Sequence, residues 1–337
     1  MQNRQTPGRK GIWGECQFFV DQDIPEADFW VVYDNLELLK QKTRCRKDGT
    51  IYFGGEPPFV REYLPRFLKQ FDTVITCQPV SHPKIIKSQQ SLPWHVGIAK
   101  NNGLIGNIKD THIRYDYDYF KNLVYCEKEG LISIIMSTKT MTPGHIQRLR
   151  FLDVLKLHFG SRLDIFGAGR NPIQDKWDAL RPYKYTISLE NCAYPDYWTE
   201  KLADAYLAWT YPIYYGCPNL GDYFPKEAYT TIDIAQPGKA IQVIEDTISL
   251  PISNVQIAAI AEARRRVLDE YNMFAVIARI CQEKSNHPSP RIQKTIRHEI
   301  YFQRSLMLQN RFHRAFQSCL RRMGIGAKIN NKKALQS

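Results

Sequence analysis

Long apolar runs are missing from this chain. No stretch approaches the ~20 residues that a membrane-spanning helix requires, and the opening MQNRQTPGRKGIWGECQFFV has no long apolar core of the signal-peptide kind. The expected location is therefore cytoplasmic. Paired cysteines are missing too: Cys16, Cys45, Cys77, Cys126, Cys192, Cys217, Cys281 and Cys319 are scattered without a CxxC spacing. That removes the usual signal for a zinc site or redox dithiol and leaves reduced, mostly buried thiols as the simplest reading. Neither GxGxxG nor the P-loop pattern occurs at the candidate nucleotide positions, so a nucleotide held there is held by other means. No internal repeat or low-complexity segment is evident.

Excess charge is also absent from most of the chain. The net charge is +12, but from Cys281 onward twelve Lys/Arg face only Glu283 and Glu299, so ten of the twelve excess charges lie in the last 57 residues. A basic appendage on a nearly neutral body differs from a basic nucleic-acid-reading domain, and no specific nucleic-acid partner is expected.

What the chain does have is length and alternation. Its 337 residues exceed one typical core. Short β-branched and aromatic runs recur at 28–34 (DFWVVYD), 50–55, 71–76, 131–137 (LISIIMS), 162–167, 184–191 (KYTISLEN), 211–216 and 228–234, and helix-period segments separate many of them. One such segment is PPFVREYLPRFLKQF between two strands. HIQRLRFLDVLKLHF places Ile146, Leu149, Leu152, Leu155 and Phe159 on one stripe, and WTEKLADAYLAW does the same with Trp198, Leu202, Ala205 and Trp209. Strand, helix, strand at this rhythm predicts parallel, helix-covered sheets. The expected fold class is α/β. The expected units are 1–125 and 126–286, followed by a basic tail at 287–337. In the tail Leu308, Phe312, Phe316, Cys319 and Met323 share a helical face beside Arg304, Arg311, Arg314 and Arg322. Such a helix suits an anionic membrane surface, and it equally suits packing on the body by its apolar stripe.

In open α/β sheets, ligands sit beyond the carboxyl ends of the strands. Following LISIIMS there, the chain offers Arg148; following RLDIFG, Arg170; following KYTISLEN, the polar cluster Asn191, Tyr197, Glu200 and Lys201. Glu200 and Lys201 fall in the first turn of a predicted helix, where free N–H groups attract anions. Arg148 offers a forked donor to phosphate and Lys201 a point charge, Glu200 an acceptor for sugar hydroxyls, and Tyr197 and Asn191 stacking and amide contacts. Together these residues could form a nucleotide-diphosphate site. The same residues also read as a solvated helix face, a surface arginine and a half-buried aromatic strut, and spacing does not choose between the two.

The stretch YKYTISLENCAYPDYWTEKLADAYLAWTYPIYYGCPNLGDYFPKEAYTTIDI (183–234) resembles the donor-binding signature of glycosyltransferase family 10, the alpha-1,3/1,4-fucosyltransferases. That family has a strand ending in Phe-Glu-Asn, then Tyr-Val-Thr-Glu-Lys, a helix, a Pro-containing strand and a Phe-x-Pro turn. The resemblance is dense over about fifty residues and thinner but ordered from about residue 50 to 280. It implies a GT-B fold of two Rossmann-like domains facing across a cleft, 1–125 on the acceptor side and 126–286 binding the donor, and donor contacts at Arg148, Asn191, Tyr197, Glu200 and Lys201. It places the general base at Glu56, in the turn YFGGEPPF. The implied activity is inverting transfer of fucose from GDP-fucose to a glycan hydroxyl, with no metal and no further cofactor. Leu189, Trp198 and Pro57 stand where the family has Phe, Val and Asn. The alternatives are a GT-B transferase for another nucleotide sugar, and an inactive relative that binds membrane or nucleic acid. The basic tail adds an expected peripheral contact to the inner face of the membrane.

Overall fold

The structure, a computed structural model, describes residues 2–100, 111–167 and 171–303. A short antiparallel pair, β1 (Ile12–Trp13) and β2 (Cys16–Gln17), precedes the first sheet. β3 (Trp30–Tyr33), β5 (Thr50–Phe53), β6 (Thr73–Thr76) and β7 (Ile85–Lys87) form a wholly parallel sheet in that order, while β4 (Lys40–Arg46) lies outside it. The two central strands, β5 and β6, are buried along their whole length, as a helix-covered parallel sheet requires. Tyr52 and Val74 point into one cluster with Phe67 and Phe71, and Ile51, Phe53 and Ile75 point into another.

Only Pro65–Leu68 (α1) is helical in the segment PPFVREYLPRFLKQF, where a longer helix is expected. Pro65 is the cause: it disfavours helical backbone at Leu64, which is extended with ψ 123°, and a proline is tolerated only at a helix start. After β8 (Ile98–Lys100) and β9 (Thr111–Ile113), which pair antiparallel, come α2 (Tyr117–Asn122) and the second sheet.

That sheet is parallel throughout, in the order β11-β10-β12-β13-β14, from β10 (Gly130–Ile135), β11 (Leu163–Phe166), β12 (Tyr183–Leu189), β13 (Tyr211–Tyr215) and β14 (Thr230–Thr231). α3 (Pro143–Phe159), α4 (Trp177–Leu180) and α5 (Glu200–Leu207) connect its strands, and α6 (Pro237–Ile248) and α7 (Asn254–Asp269) follow. Two parallel α/β units are thus present, as the strand-helix alternation predicts. Of the expected stripe, Trp198, Leu202 and Trp209 join the second core, and Ala205 is buried as well. The expected stripe of α3 is displaced: Ile146 is exposed, while His145, Arg148, Phe151, Leu152, Leu155 and Phe159 are buried. The buried face of α3 therefore carries two polar side chains at its amino end, which a stripe of apolar residues alone cannot show.

The expected boundaries at 125/126 and 286/287 do not coincide with the packing. Trp94, Val96 and Phe120 belong to the core of the second unit. α8 (Met273–Ser285) returns to the first, burying Met273, Phe274, Val276, Ile277, Ile280 and Cys281 against Ile51, Phe53 and Ile75. Residues 291–297, assigned to a tail from the proline-rich HPSPR, form β15 (Arg291–Arg297), antiparallel to β4 over seven residues. Glu299 continues this attachment through an ion pair with Arg61 at 2.5 Å. The basic helix expected beyond it, and Arg170, lie outside the described residues. Among the described residues no helix is long and apolar enough to cross a membrane.

Candidate donor and acceptor cleft

The amino end of α3 is set by Thr142, whose hydroxyl accepts from the His145 N–H at 3.3 Å, and by Pro143 at the first helical position. This start brings α3 against the loop after β12: a Cβ on Gly144 would lie 1.7 Å from the Asn191 carbonyl oxygen, so only glycine allows the approach. Arg148, one turn further on, is 4% exposed and donates from Nη1 to the Leu189 carbonyl at 3.1 Å. Its Nε has no hydrogen-bond partner among the described residues. Burial pulls this guanidinium below its ordinary value, against the fields of Glu190, Tyr197 and Glu200. It is not the surface arginine of the bland reading.

β12 ends at Leu189, Glu190 follows directly, and α5 begins at Glu200 with Thr199 as its N-cap. Glu190 is fully buried and joins the two: its Oε1 accepts from the Thr199 N–H at 2.7 Å, the Thr199 hydroxyl lies 2.8 and 2.9 Å from its two oxygens, and Lys201 Nζ lies 3.1 Å from Oε2. The carboxylate thus locks the helix start to the strand end and fixes the ammonium of Lys201. Sequence reading passed Glu190 over as part of the strand. Its signal was there, an acid closing a run of buried β residues, where an unpaired charge is intolerable.

Lys201 keeps a quarter of its side chain exposed. Burial opposes its charge, but Glu190 and Glu200 outweigh burial and raise it above its ordinary range. Glu200 meets Lys201 at 3.6 Å and Lys176 at 3.3 Å. Burial resists ionisation of Glu200, yet Lys201, Lys176, His95 and the Thr199 hydroxyl hold it well below the usual carboxylate range. Lys176, a second residue the sequence did not signal, also contacts Asp204 at 2.9 Å, and Asp204 accepts the N–H groups of His95 and Val96 at 2.9 and 3.1 Å. Replacing Lys176 by Met should leave Glu200 without its buried partner and Asp204 half-satisfied. We expect Lys176→Met to destabilise the fold by about 1–3 kcal/mol, read by chemical denaturation, with Lys176→Arg restoring most of the loss. Tyr197 is 1% exposed and Asn191 half-buried, so the five expected donor residues gather around the β12–α5 junction.

Glu56 comes from the other unit. β5 ends at Phe53, and a Cβ on Gly54 would meet the Tyr63 ring at 2.7 Å, so the chain turns there as glycine only. Beyond it the backbone of the turn is held at several points. Gly55 N–H donates to Asp34 at 2.8 Å, Glu56 N–H to the Tyr63 hydroxyl at 2.9 Å, and the Gln78 amide donates to the Glu56 carbonyl at 2.6 Å and to the Arg61 carbonyl at 2.8 Å. The Glu56 side chain stays partly exposed. Burial pushes its carboxyl up, Asp34 adds to the push, and Lys201 from the opposite unit pulls it back, with a raised value as the outcome. Glu56 is therefore within electrostatic reach of Lys201 and Glu200. Two further contacts join the loops: Phe59 meets Tyr194 edge to face at 6.1 Å, and the Gln90 amide donates to the Asp196 carbonyl at 3.3 Å.

The Glu56 carboxylate thus lies within the field of Lys201 across the junction of two parallel-sheet units, and Lys201 in turn lies within the field of the buried Arg148. Residues 126–244 match the family model of glycosyltransferase family 10 (fucosyltransferase) C-term. The segment contains Arg148, Asn191, Tyr197, Glu200 and Lys201, and the signature read at 183–234; Glu56 lies outside it. Within the chain, 98 residues are 32% identical to the human 4-galactosyl-N-acetylglucosaminide 3-alpha-L-fucosyltransferase, covering 27% of this chain and 26% of that protein. A further match, 35% over 74 residues, is to the alpha-(1,3)-fucosyltransferase of Helicobacter pylori, covering 22% and 16%. The chain spans about a quarter or less of the curated relatives it matches. A crystal structure of an alpha1,3-fucosyltransferase is similar with 18% identity and a TM-score of 0.42, covering 72% of this chain and 74% of that one.

Proposed function

We propose that this chain transfers fucose from GDP-fucose to a hydroxyl of a glycan acceptor with inversion at the anomeric carbon. The observation that carries the reading is the pairing of Arg148 and Lys201 at the β12–α5 junction with Glu56 opposite, inside and beside a family 10 segment. Arg148 offers its unpartnered Nε and Lys201 its partly exposed ammonium to the diphosphate. Glu200, ionised and flanked by lysines, accepts from the ribose hydroxyls, and the half-buried Asn191 supplies an amide beside it. Tyr197 walls the site. Residues on the first sheet hold the acceptor and those on the second hold the donor.

In the reaction Glu56 takes the proton of the acceptor hydroxyl as that oxygen bonds to C1 of fucose. The bond from C1 to the diphosphate oxygen breaks on the far side, and the electron pair leaves with GDP. The charge developing on the diphosphate is neutralised by Arg148 and Lys201, which are already in place and need little reorganisation. Lys201→Ala and Arg148→Ala should each lower turnover by ~10²-fold, on the scale of losing one preorganised electrostatic contact. Near wild-type rates in both variants would remove the assignment. Titration with GDP-fucose, GDP-mannose and UDP-sugars reads the donor directly, and stronger binding of a UDP-sugar would replace the fucosyl reading with that of another nucleotide-sugar transferase.

A further inference from the structure

We propose that Phe59 and Tyr194 form the acceptor subsite of this reaction, a platform at the cleft rim for the C–H face of a pyranose; this rests on the fucosyl-transfer reading above. Phe59 is 68% exposed, a large apolar ring where a turn tip is ordinarily polar or glycine. The turn is rigid. Val60 and Arg61 both donate their N–H groups to the Pro57 carbonyl, at 3.0 and 3.1 Å, and Pro58 occupies the first central position, where its fixed φ suits a tight turn. Gln78 clamps the loop at both ends through the Glu56 and Arg61 carbonyls, and Arg61 is tied to Glu299. A loop held this firmly exposes its phenyl ring in a defined place.

The second ring is held as firmly. Tyr194 lies on the loop between Asn191 and Tyr197, and the Tyr197 N–H donates to its carbonyl at 3.2 Å. Asp196, two residues on, accepts from Asn219 at 2.8 Å and from the Tyr223 hydroxyl at 2.7 Å, and its carbonyl accepts from Gln90 of the first unit. The two rings meet edge to face with 79° between their planes, and the Phe59 ring keeps most of its surface free.

The position follows from chain reach. Phe59 is three residues from Glu56, so the two Cα atoms are at most about 11 Å apart, and a sugar resting on the ring can present a hydroxyl to the carboxylate. A pyranose face carries weakly positive C–H groups that suit the negative face of an aromatic ring, while its hydroxyls stay free for polar partners.

The test compares the full chain with its Phe59→Ala, Tyr194→Ala and Phe59→Trp variants. GDP binding is measured by calorimetry, and transfer from GDP-fucose is measured against rising concentrations of two probes: methyl β-galactoside and the methyl glycoside of 4-galactosyl-N-acetylglucosamine. The expected result is an acceptor KM raised about tenfold in Phe59→Ala and several-fold in Tyr194→Ala, with GDP affinity within about twofold of wild type and Phe59→Trp near wild type. An unchanged acceptor KM in Phe59→Ala overturns the subsite, and so does a loss of GDP affinity, which would make the ring a structural strut. A wild-type chain that binds no GDP, or transfers to neither probe, overturns the fucosyl-transfer reading itself and the subsite with it.

Discussion

Glu56→Gln is expected to lower kcat for fucosyl transfer by ~10²–10⁴-fold, the range that a positioned general base supplies, while GDP binds as in wild type. The amide is close in shape to the carboxylate and the backbone of the turn is held by Asp34, Tyr63 and Gln78 rather than by the Glu56 side chain, so the loop should keep its course. The pH dependence gives a second reading of the same residue. A base works ionised, and the Glu56 carboxyl is raised by burial and by Asp34. Activity should therefore be lost as pH falls through that raised value, at a higher pH than an ordinary carboxylate would give, and Glu56→Gln should lack this limb. Retained activity in Glu56→Gln excludes the base assignment, and a collapse of GDP affinity makes Glu56 structural.

Glu190→Ala is expected to destabilise the fold by about 3–5 kcal/mol, the cost of removing one partner of a buried ion pair. Three donors lose their acceptor together: the Thr199 N–H, the Thr199 hydroxyl and the Lys201 ammonium. The helix start at Thr199 then loses its tie to the end of β12. Chemical denaturation measures the loss, and Glu190→Gln, which keeps an acceptor of similar shape, should show a smaller one. Unchanged stability in Glu190→Ala would mean that water replaces the carboxylate at this junction.

The strands were legible because their signal is local. Runs such as LISIIMS and KYTISLEN are β-branched, apolar and bounded by turn residues, and they became β10 and β12 within a residue or two at each end. The gathering of the polar cluster was legible for a related reason: Asn191, Tyr197, Glu200 and Lys201 lie within one strand-loop-helix unit, so chain connectivity alone keeps them close. Arg148 was legible as a candidate, but its burial was not, because the stripe of α3 was read from apolar residues and the buried face includes His145 and Arg148. The helix expected in PPFVREYLPRFLKQF shows the converse limit, since Pro65 restricts the backbone before it whatever the apolar spacing suggests.

By itself the sequence determined two parallel α/β units and the identity of the polar residues gathered at the end of one strand. Tertiary structure decided what depends on partners far apart in the chain. It returned α8 and β15 to the first unit, because Met273, Phe274 and Ile277 find their apolar cover on β5 and β6 and the β15 backbone finds its hydrogen bonds on β4. It placed Lys176 between Glu200 and Asp204 and set Glu56 within the field of Lys201. Burial and electrostatic pairing act through space over a few ångströms, and a pattern read along the chain carries no measure of that distance.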